Sequence, residues 1–441
     1  METVQKGGRL VSPRTGILQM ICAGVHQPGD PHCESFAAVA SDAARFSTAT
    51  NASKTSKSGG AGLTMDAALA ATIGEAVERY CMNFYDKRDL VLDCARNLND
   101  LAVNPTLVSL LSREQIERNP TDWAFFDEDS VIRWAWGYSL TQDRWRLVPA
   151  CQVYLNYTFD ADEAAIMSNA SSGLAAGNTL EEAILSGVYE VIERDAFTNA
   201  WLHRYVARRV RANSPRLEEF LATCCLAEHP SINISLFDIT LDIPVFCSFA
   251  VIQRPAEFGP VLLVGTAARL DPERAIEKSL LEACQEMAYV RYLRNEMQDW
   301  YPSEDFTNVT TFDEHFMVYN HRPELIEEAF AFCREVPGVV CSSDLPSRST
   351  GRVLGDVNRA VKFLDERGYE VIVVDITTPD IQDIGLHVVR VLVPGLVPLH
   401  GDHNLPFLGV PRLDALRGSL AGGQPGRTGS HGYNPYPHPF P

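Results

Sequence analysis

Three segments of this sequence repeat one pattern in register, and the repeat constrains how the chain can fold. Residues 64–80 read TMDAALAATIGEAVERY, residues 179–195 read TLEEAILSGVYEVIERD, and residues 271–287 read DPERAIEKSLLEACQEM. Ala68, Ala183 and Ala275 align, as do Glu75, Glu190 and Glu282. Three residues further on come Glu78, Glu193 and Gln285. In a helix a spacing of three puts both acids on one face. The copies lie about a hundred residues apart at uneven intervals, which no standard solenoid has. The pattern predicts helices that converge on one centre.

The acids sit among small and apolar neighbours: Ile73, Gly74, Ala76 and Val77 in the first copy, Val188, Val191 and Ile192 in the second. Close, half-buried carboxylates repel and need a cation, a proton or an Arg. Mg2+ suits such a place, being held by one or two carboxylates and substrate phosphates. On the second helix Asn178, Glu182, Ser186, Glu190 and Glu193 form a stripe. Glu182 and Glu190 lie ~12 Å apart along it, a span that fits a triphosphate with several ions better than one ion. Any single copy is equally readable as a solvated helix whose acids pair with Arg79 and Arg194.

The formal net charge of -19 argues against broad nucleic-acid binding. The 11 Cys are scattered without a C-x-x-C, so a compact zinc site is not expected and the thiols should be reduced. The first residues lack the apolar run of a signal peptide. The apolar stretch 384–399 is broken by His387, Arg390, Pro394 and Pro398 and cannot span a bilayer. A cytoplasmic location is expected. Elsewhere, residues 51–62 and 168–179 read as small-residue loops, with helices over 65–83 and 180–204. Strands are expected near 135–140, 147–154, 232–252, 260–270 and 387–393. Asp271-Pro272 opens the third helix, residues 324–333 suggest a surface helix, and 357–377 read as helix, Gly stop and strand. Together these predict a mixed α/β architecture in one unit of interlocked subdomains over 1–441, with a flexible tail over 421–441.

The same residues resemble the YcaO family of ATP-dependent peptide-modifying enzymes. The specific block is NASSGLAAGNTLEEAILSGVYEVIERDAF, residues 169–197; SGGAGLTMDAALAATIGEAVERY, PRTGI and VVRVLVPGLVPL resemble the family's glycine loop with first Glu helix, its opening and a late segment. The resemblance implies a YcaO-like α/β fold with mixed sheets and a non-P-loop ATP site, in keeping with the absence of G-x-x-x-x-G-K-[ST]. It implies that Glu75, Glu78, Glu182, Glu190, Glu193 and Glu282 hold Mg2+ around the ATP phosphates. Asn178 and Gln285 would be polar partners of the nucleotide, and Arg194 would meet a phosphate or fix the carboxylates. Two positions depart from many relatives: Ala61 stands where a Lys is common and Ala71 where a Ser is common. Lys54 or Lys57 is a substitute by position, and Gly59, Gly60 and Gly62 either expose N–H groups to an anion or form a mobile loop.

The chain ends Pro437-His438-Pro439-Phe440-Pro441, which resembles the P-x-P-x-P ending of azoline-forming cyclodehydratases, whose C-terminus enters the active site. The implied reaction turns Cys, Ser or Thr of a ribosomal precursor peptide into thiazoline or (methyl)oxazoline, with the Pro441 carboxylate as candidate base. His438 is readable as a base or, better, as a spacer between prolines. The resemblance also implies an E1-like or ThiF-like leader-binding partner, and admits a flavin azoline dehydrogenase and a homodimeric core. Thioamide or amidine formation, or a nonenzymatic ATP-regulated scaffold, are the competing functions.

Overall fold

The computed structural model describes residues 2–41, 57–118, 122–168, 171–226, 232–256, 259–334, 336–420 and 432–441. Alternating apolar residues build three sheets. A three-stranded antiparallel sheet comprises Leu18–Ala23, Glu34–Ala40 and Lys57–Gly62. A five-stranded sheet runs in the order Gly259–Arg269, Phe246–Ala256, Asn233–Asp238, Arg208–Arg211 and Val339–Cys341, the last pair parallel. A six-stranded sheet runs Val91–Cys94, Val131–Ser139, Ile372–Asp375, His387–Leu392 and Leu174–Gly177, with Arg144–Pro149 also paired to Val131–Ser139. The fold is the mixed α/β architecture that the alternation of elements predicted.

Each sheet ends in an edge strand that leads directly into one of the acidic helices: Lys57–Gly62 into Met65–Cys81, Leu174–Gly177 into Leu180–His203, and Gly259–Arg269 into Pro272–Glu296. The aligned first residues are the three N-caps. Thr64, Thr179 and Asp271 accept from the backbone N–H of Ala67, Glu182 and Arg274, which satisfies one orphan donor per helix. Each edge strand also carries a glycine where its helix crosses. A Cβ on Gly60, Gly177 or Gly265 would fall on the backbone at Thr72, Ala183 or Ser279. Only glycine allows that approach.

This explains a misreading at the level of sequence. The described part of the first glycine-rich loop is a strand, Lys57–Gly62, and the middle of the second is another, Leu174–Gly177, between bends and turns at 171–173 and 178–179; residues 51–56 and 169–170 lie outside the described residues. Glycine served close packing there, not chain flexibility. The strand expected over 147–154 stops at Pro149, and Ala150–Val153 forms a helical turn. The surface helix expected over 324–333 is instead a series of short turns, Pro323–Leu325, Ile326–Ala329 and Ala331–Cys333. Phe330 and Phe332 are both buried, and residues two apart cannot share one helix face.

The second acidic helix changes character along its length. Its carboxylates lie in the first half, whereas Phe197, Ala200 and Trp201 in the second half are buried in the largest apolar cluster. Between the halves, buried Asp195 accepts from Arg412 Nε at 2.9 Å and from the Val397 backbone N–H at 2.9 Å. That pair fixes the VPGLVPL segment against the helix. No helix among the described residues is long and apolar enough to cross a membrane.

Candidate functional site: an acidic cradle closed by the C-terminal tail

The three strand–helix units interlock in a ring. Glu78 of the first helix accepts the Ala176 backbone N–H of the second unit's strand at 2.7 Å. Glu193, at the same register of the second helix, accepts the Thr266 hydroxyl of the third unit's strand at 2.7 Å. Gln285, again at that register, places its side-chain nitrogen against the open face of Gly59 in the first unit's strand. Gly59 in turn donates its backbone N–H to Glu75 at 2.9 Å.

Inside the ring the charges meet. Arg194 stands 3.9 Å from Glu190 and 3.8 Å from Glu193. Arg79 stands 3.4 Å from Glu75, and Lys278 3.0 Å from Glu282. Glu182 accepts the Asn178 backbone N–H at 2.9 Å, and the Asn178 side chain is held by Thr3 at 2.8 Å and by Lys6 at 3.3 Å. The structure therefore brings carboxylates of all three helices into one electrostatic neighbourhood, while Glu182 and Asn178 pair with each other at the start of the second helix.

Burial dominates Glu78, Glu190 and Glu193. Desolvation, then the charges of Glu190 and Glu75, push the Glu78 carboxyl well above its ordinary range. Burial also raises Glu190, against the opposing pull of Arg194, Arg390 and Arg79. Glu193 is pushed up to about 7 by burial, with Glu282 and Glu190 adding to it and Arg194 and Thr266 opposing. An ion pair near 4 Å is worth about 4 kcal/mol at an effective dielectric of ~20, and one guanidinium does not offset that much desolvation. Buried acids that their own cations leave short of neutral fit divalent ions and a polyphosphate. Glu78, Glu190, Glu193 and Glu282 thus share one field with Arg194, and Glu75 joins it through Glu78.

A pH effect follows. The raised Glu193 pKa means the folded state favours its protonated form. The associated stability is present below about pH 4.5 and lost as pH rises through about 7. Mg2+ competes with that proton. The Tm gain given by Mg2+ with ATP should therefore grow steadily from about pH 5 to about pH 8. A gain that is the same at both ends would show that the acids do not take up the ions.

Several residues were not anticipated. Arg390, 1% exposed, reaches the same charges from the late strand His387–Leu392; in the sequence it only interrupted an apolar run. Glu286 is buried, accepts the Val264 backbone N–H at 2.8 Å and is raised well above the carboxylate range by desolvation. Its place aligns with Arg79 and Arg194, which is the signal that could have found it. Ala61 lies in the strand Lys57–Gly62 and Ala71 in the helix behind it. Lys54 and the Lys57 side chain lie outside the described residues. The cation observed beside Asn178 is Lys6, from the short helix Glu2–Gly8, which also donates to Gly385 O at 2.7 Å.

The tail differs most from expectation. Residues 421–431 lie outside the described residues, but 432–441 are not flexible: Tyr433, Asn434, Tyr436, His438 and Phe440 are buried. Successive tail carbonyls receive buried donors. His403 bonds to the Pro435 backbone, Trp201 Nε1 donates to Tyr436 O at 2.9 Å, Tyr319 Oη to Pro437 O at 2.5 Å, and His315 Nδ1 faces His438 O at 3.1 Å. Pro435, Pro437 and Pro439 have no N–H to bury unsatisfied. The prolines thus reduce the donors that an extended segment must satisfy in the core, and those of Asn434 and His438 find the carbonyls of Leu202, Trp201 and His400. Phe440 packs edge-on against Phe197 at 4.5 Å and lies 5.6 Å from the Arg194 guanidinium. Pro441 follows it, half-buried. His438 is no spacer. Its Nε2 meets His400 O at 2.7 Å, its Nδ1 accepts the Phe440 N–H at 3.3 Å, and burial lowers its pKa to about 3, so it is a poor base at neutral pH.

The fold and this cluster define a mixed α/β protein that gathers carboxylates from three helices into one field. Residues 59–397 match the family described as YcaO cyclodehydratase, ATP- and Mg2+-binding, and the chain belongs to that family. It is 30% identical over 279 residues to an uncharacterised protein of Methanothermobacter thermautotrophicus, spanning 61% of this chain and 67% of that one. Among solved structures it is similar to a heterocyclase in complex with substrate and cofactor. That likeness has a TM-score of 0.72 and 26% identity, and covers 100% of this chain but only 57% of the heterocyclase. The YcaO of Methanopyrus kandleri, bound with AMPPCP and Mg2+, shares the fold at a TM-score of 0.63 and 20% identity, over 97% of this chain and 94% of that one.

Proposed function

We propose that this protein is a peptide cyclodehydratase that closes Cys, Ser or Thr residues of a ribosomally made precursor onto the preceding amide, forming thiazoline or (methyl)oxazoline at the expense of ATP. The observation that carries this reading is the tail: its last aromatic residue sits by Arg194, which stands between Glu190 and Glu193. A tail seated there supports a part for the chain terminus at the acidic cradle. The 26% identity to a heterocyclase supports ring closure over other YcaO-type chemistry.

In this scheme a substrate thiol or hydroxyl attacks the preceding carbonyl carbon, giving a cyclic hemiorthoamide. Its oxygen takes the γ-phosphoryl group of ATP and ADP departs. Loss of phosphate and of the ring nitrogen's proton then leaves the azoline. Bound Mg2+ would neutralise the phosphoryl charge during transfer. Glu75, Glu78, Glu182, Glu190, Glu193 and Glu282 would hold the ions, Asn178, Gln285 and Arg194 would orient the phosphates, and the Pro441 carboxylate would accept a proton. An E1-like or ThiF-like protein presents the precursor's leader. A flavin dehydrogenase acts afterwards where azoles are the product, and a homodimeric core is compatible with the scheme.

Incubation with a precursor, its leader-binding partner, Mg2+ and ATP should consume ATP only when the precursor is present. Each modified residue should lose the mass of one water. A mass gain from sulfur-for-oxygen exchange would reassign the chemistry to thioamidation, and ATP consumption indifferent to peptide would reject both.

A further inference from the structure

Beneath the tail, four histidines from separate parts of the sequence meet in the core. His315 lies on the helix Phe312–His321, His400 and His403 follow Pro398, and His438 belongs to the tail. Ligand nitrogens of His315, His400 and His403 all lie within 4.8 Å of one another. The His315 ring centroid is 5.8 Å from that of His400 and 5.9 Å from that of His403, with planes at 83° and 74°. These rings splay about a shared space. His438, in contrast, stacks flat on His315 at 3.8 Å and has both ring nitrogens engaged elsewhere.

Protonation follows from the partners. A carbonyl oxygen accepts only a proton, so the contact of His315 Nδ1 with His438 O puts the hydrogen on Nδ1 and leaves a lone pair on Nε2. That Nε2 is buried without a hydrogen-bond partner, and so is Nδ1 of His400. Residues His315 and His400 are 0% and 3% exposed, and an orphaned buried polar atom costs about 1–3 kcal/mol. Fixing one ring nitrogen by a carbonyl while the other is left bare is how metal-binding imidazoles are oriented.

We propose that His315, His400 and His403 form a binding site for a divalent transition-metal ion of the Zn2+ type. Three neutral imidazoles suit such an ion, whereas Mg2+ prefers oxygen. Ligand nitrogens about 3.3 Å apart are needed around a tetrahedral ion with bonds of ~2.0–2.1 Å, so the rings must draw in by about 1 Å. His403, the least buried of the three, gives the route of entry. The ion uses none of the cradle's carboxylates. Its consequence is mechanical: it ties residues 400–403 to the helix whose His315 and Tyr319 grip the tail, and so steadies the seat of Phe440.

The full-length protein, stripped with chelator and kept in excess Mg2+, is titrated with Co2+ as a spectroscopic probe. The expected result is one equivalent bound with the visible absorption of four-coordinate Co2+, without the near-ultraviolet band that Cys ligands would add. His403→Gln, which alters the least buried ligand, should weaken binding by more than about tenfold while MgATP binding persists. Zn2+ should raise the Tm of the unaltered protein and not of the variant. An unaltered protein that gives no such spectrum, or a variant that titrates identically, overturns the site, and neither result bears on the cyclodehydratase reading.

Discussion

Appending two residues, Gly-Ser, after Pro441 should lower the rate of ring formation at least about 100-fold, while MgATP affinity and Tm change little. A positioned general base contributes roughly 10²–10⁴-fold, and extension converts the terminal carboxylate into an amide that cannot take a proton. The packing sharpens the expectation. Residues 435–438 are gripped through consecutive carbonyls, and Phe440 is wedged between Phe197 and Arg194. An extension would therefore start one residue beyond the ring that sits by Arg194. Product mass over time measures turnover, and nucleotide titration measures affinity. Unimpaired cyclisation by the extended chain would eliminate Pro441 as the base. A parallel collapse of ATP binding would assign the tail a structural part instead.

Glu190→Gln should reduce kcat on the order of 10²-fold or more, yet leave the ligand-free protein as stable at pH 8 or somewhat more so. The two signs together make the test discriminating. Glu190 lies where the fields of Glu78, Glu193, Arg194 and Arg390 overlap. Its own carboxyl is raised chiefly by burial, despite three arginines that oppose the shift. Ionising it in the folded state is therefore unfavourable, and a neutral isostere relieves repulsion with Glu78 and Glu282. A side chain retained for folding would show the reverse, a lower denaturation midpoint with activity falling only in proportion. Chemical denaturation with and without MgATP, alongside turnover, separates the outcomes. Full turnover by Glu190→Gln would remove it from the metal-holding set.

The cradle was legible in sequence to the extent that its parts lie on helices with a common register. Thr64, Thr179 and Asp271 mark three equivalent starts, so Glu78, Glu193 and Gln285 superpose by counting along the chain. What each of them touches could not be read. Their partners, Ala176, Thr266 and Gly59, come from a neighbouring unit's strand rather than their own. Glycine-rich strands resemble loops because composition records permissiveness and not its use. Gly60 and Gly265 are required by a crossing helix whose path the local sequence does not specify. The tail misled for a related reason. Proline signals stiffness or exposure in isolation, but here the missing N–H eases burial. Arg390 and the histidines at 315, 400 and 403 belong to distant segments, and nothing in their immediate neighbours announces that they meet.

The interlocking of three strand–helix units bears on how the protein is made. During synthesis the first helix leaves the ribosome long before the strands that must receive its Glu78, and the last contacts wait for Arg390 and Phe440. A chain that stops before the third unit lacks part of the ring, so a ligand of the cradle can stabilise the fold only once all three units are in place.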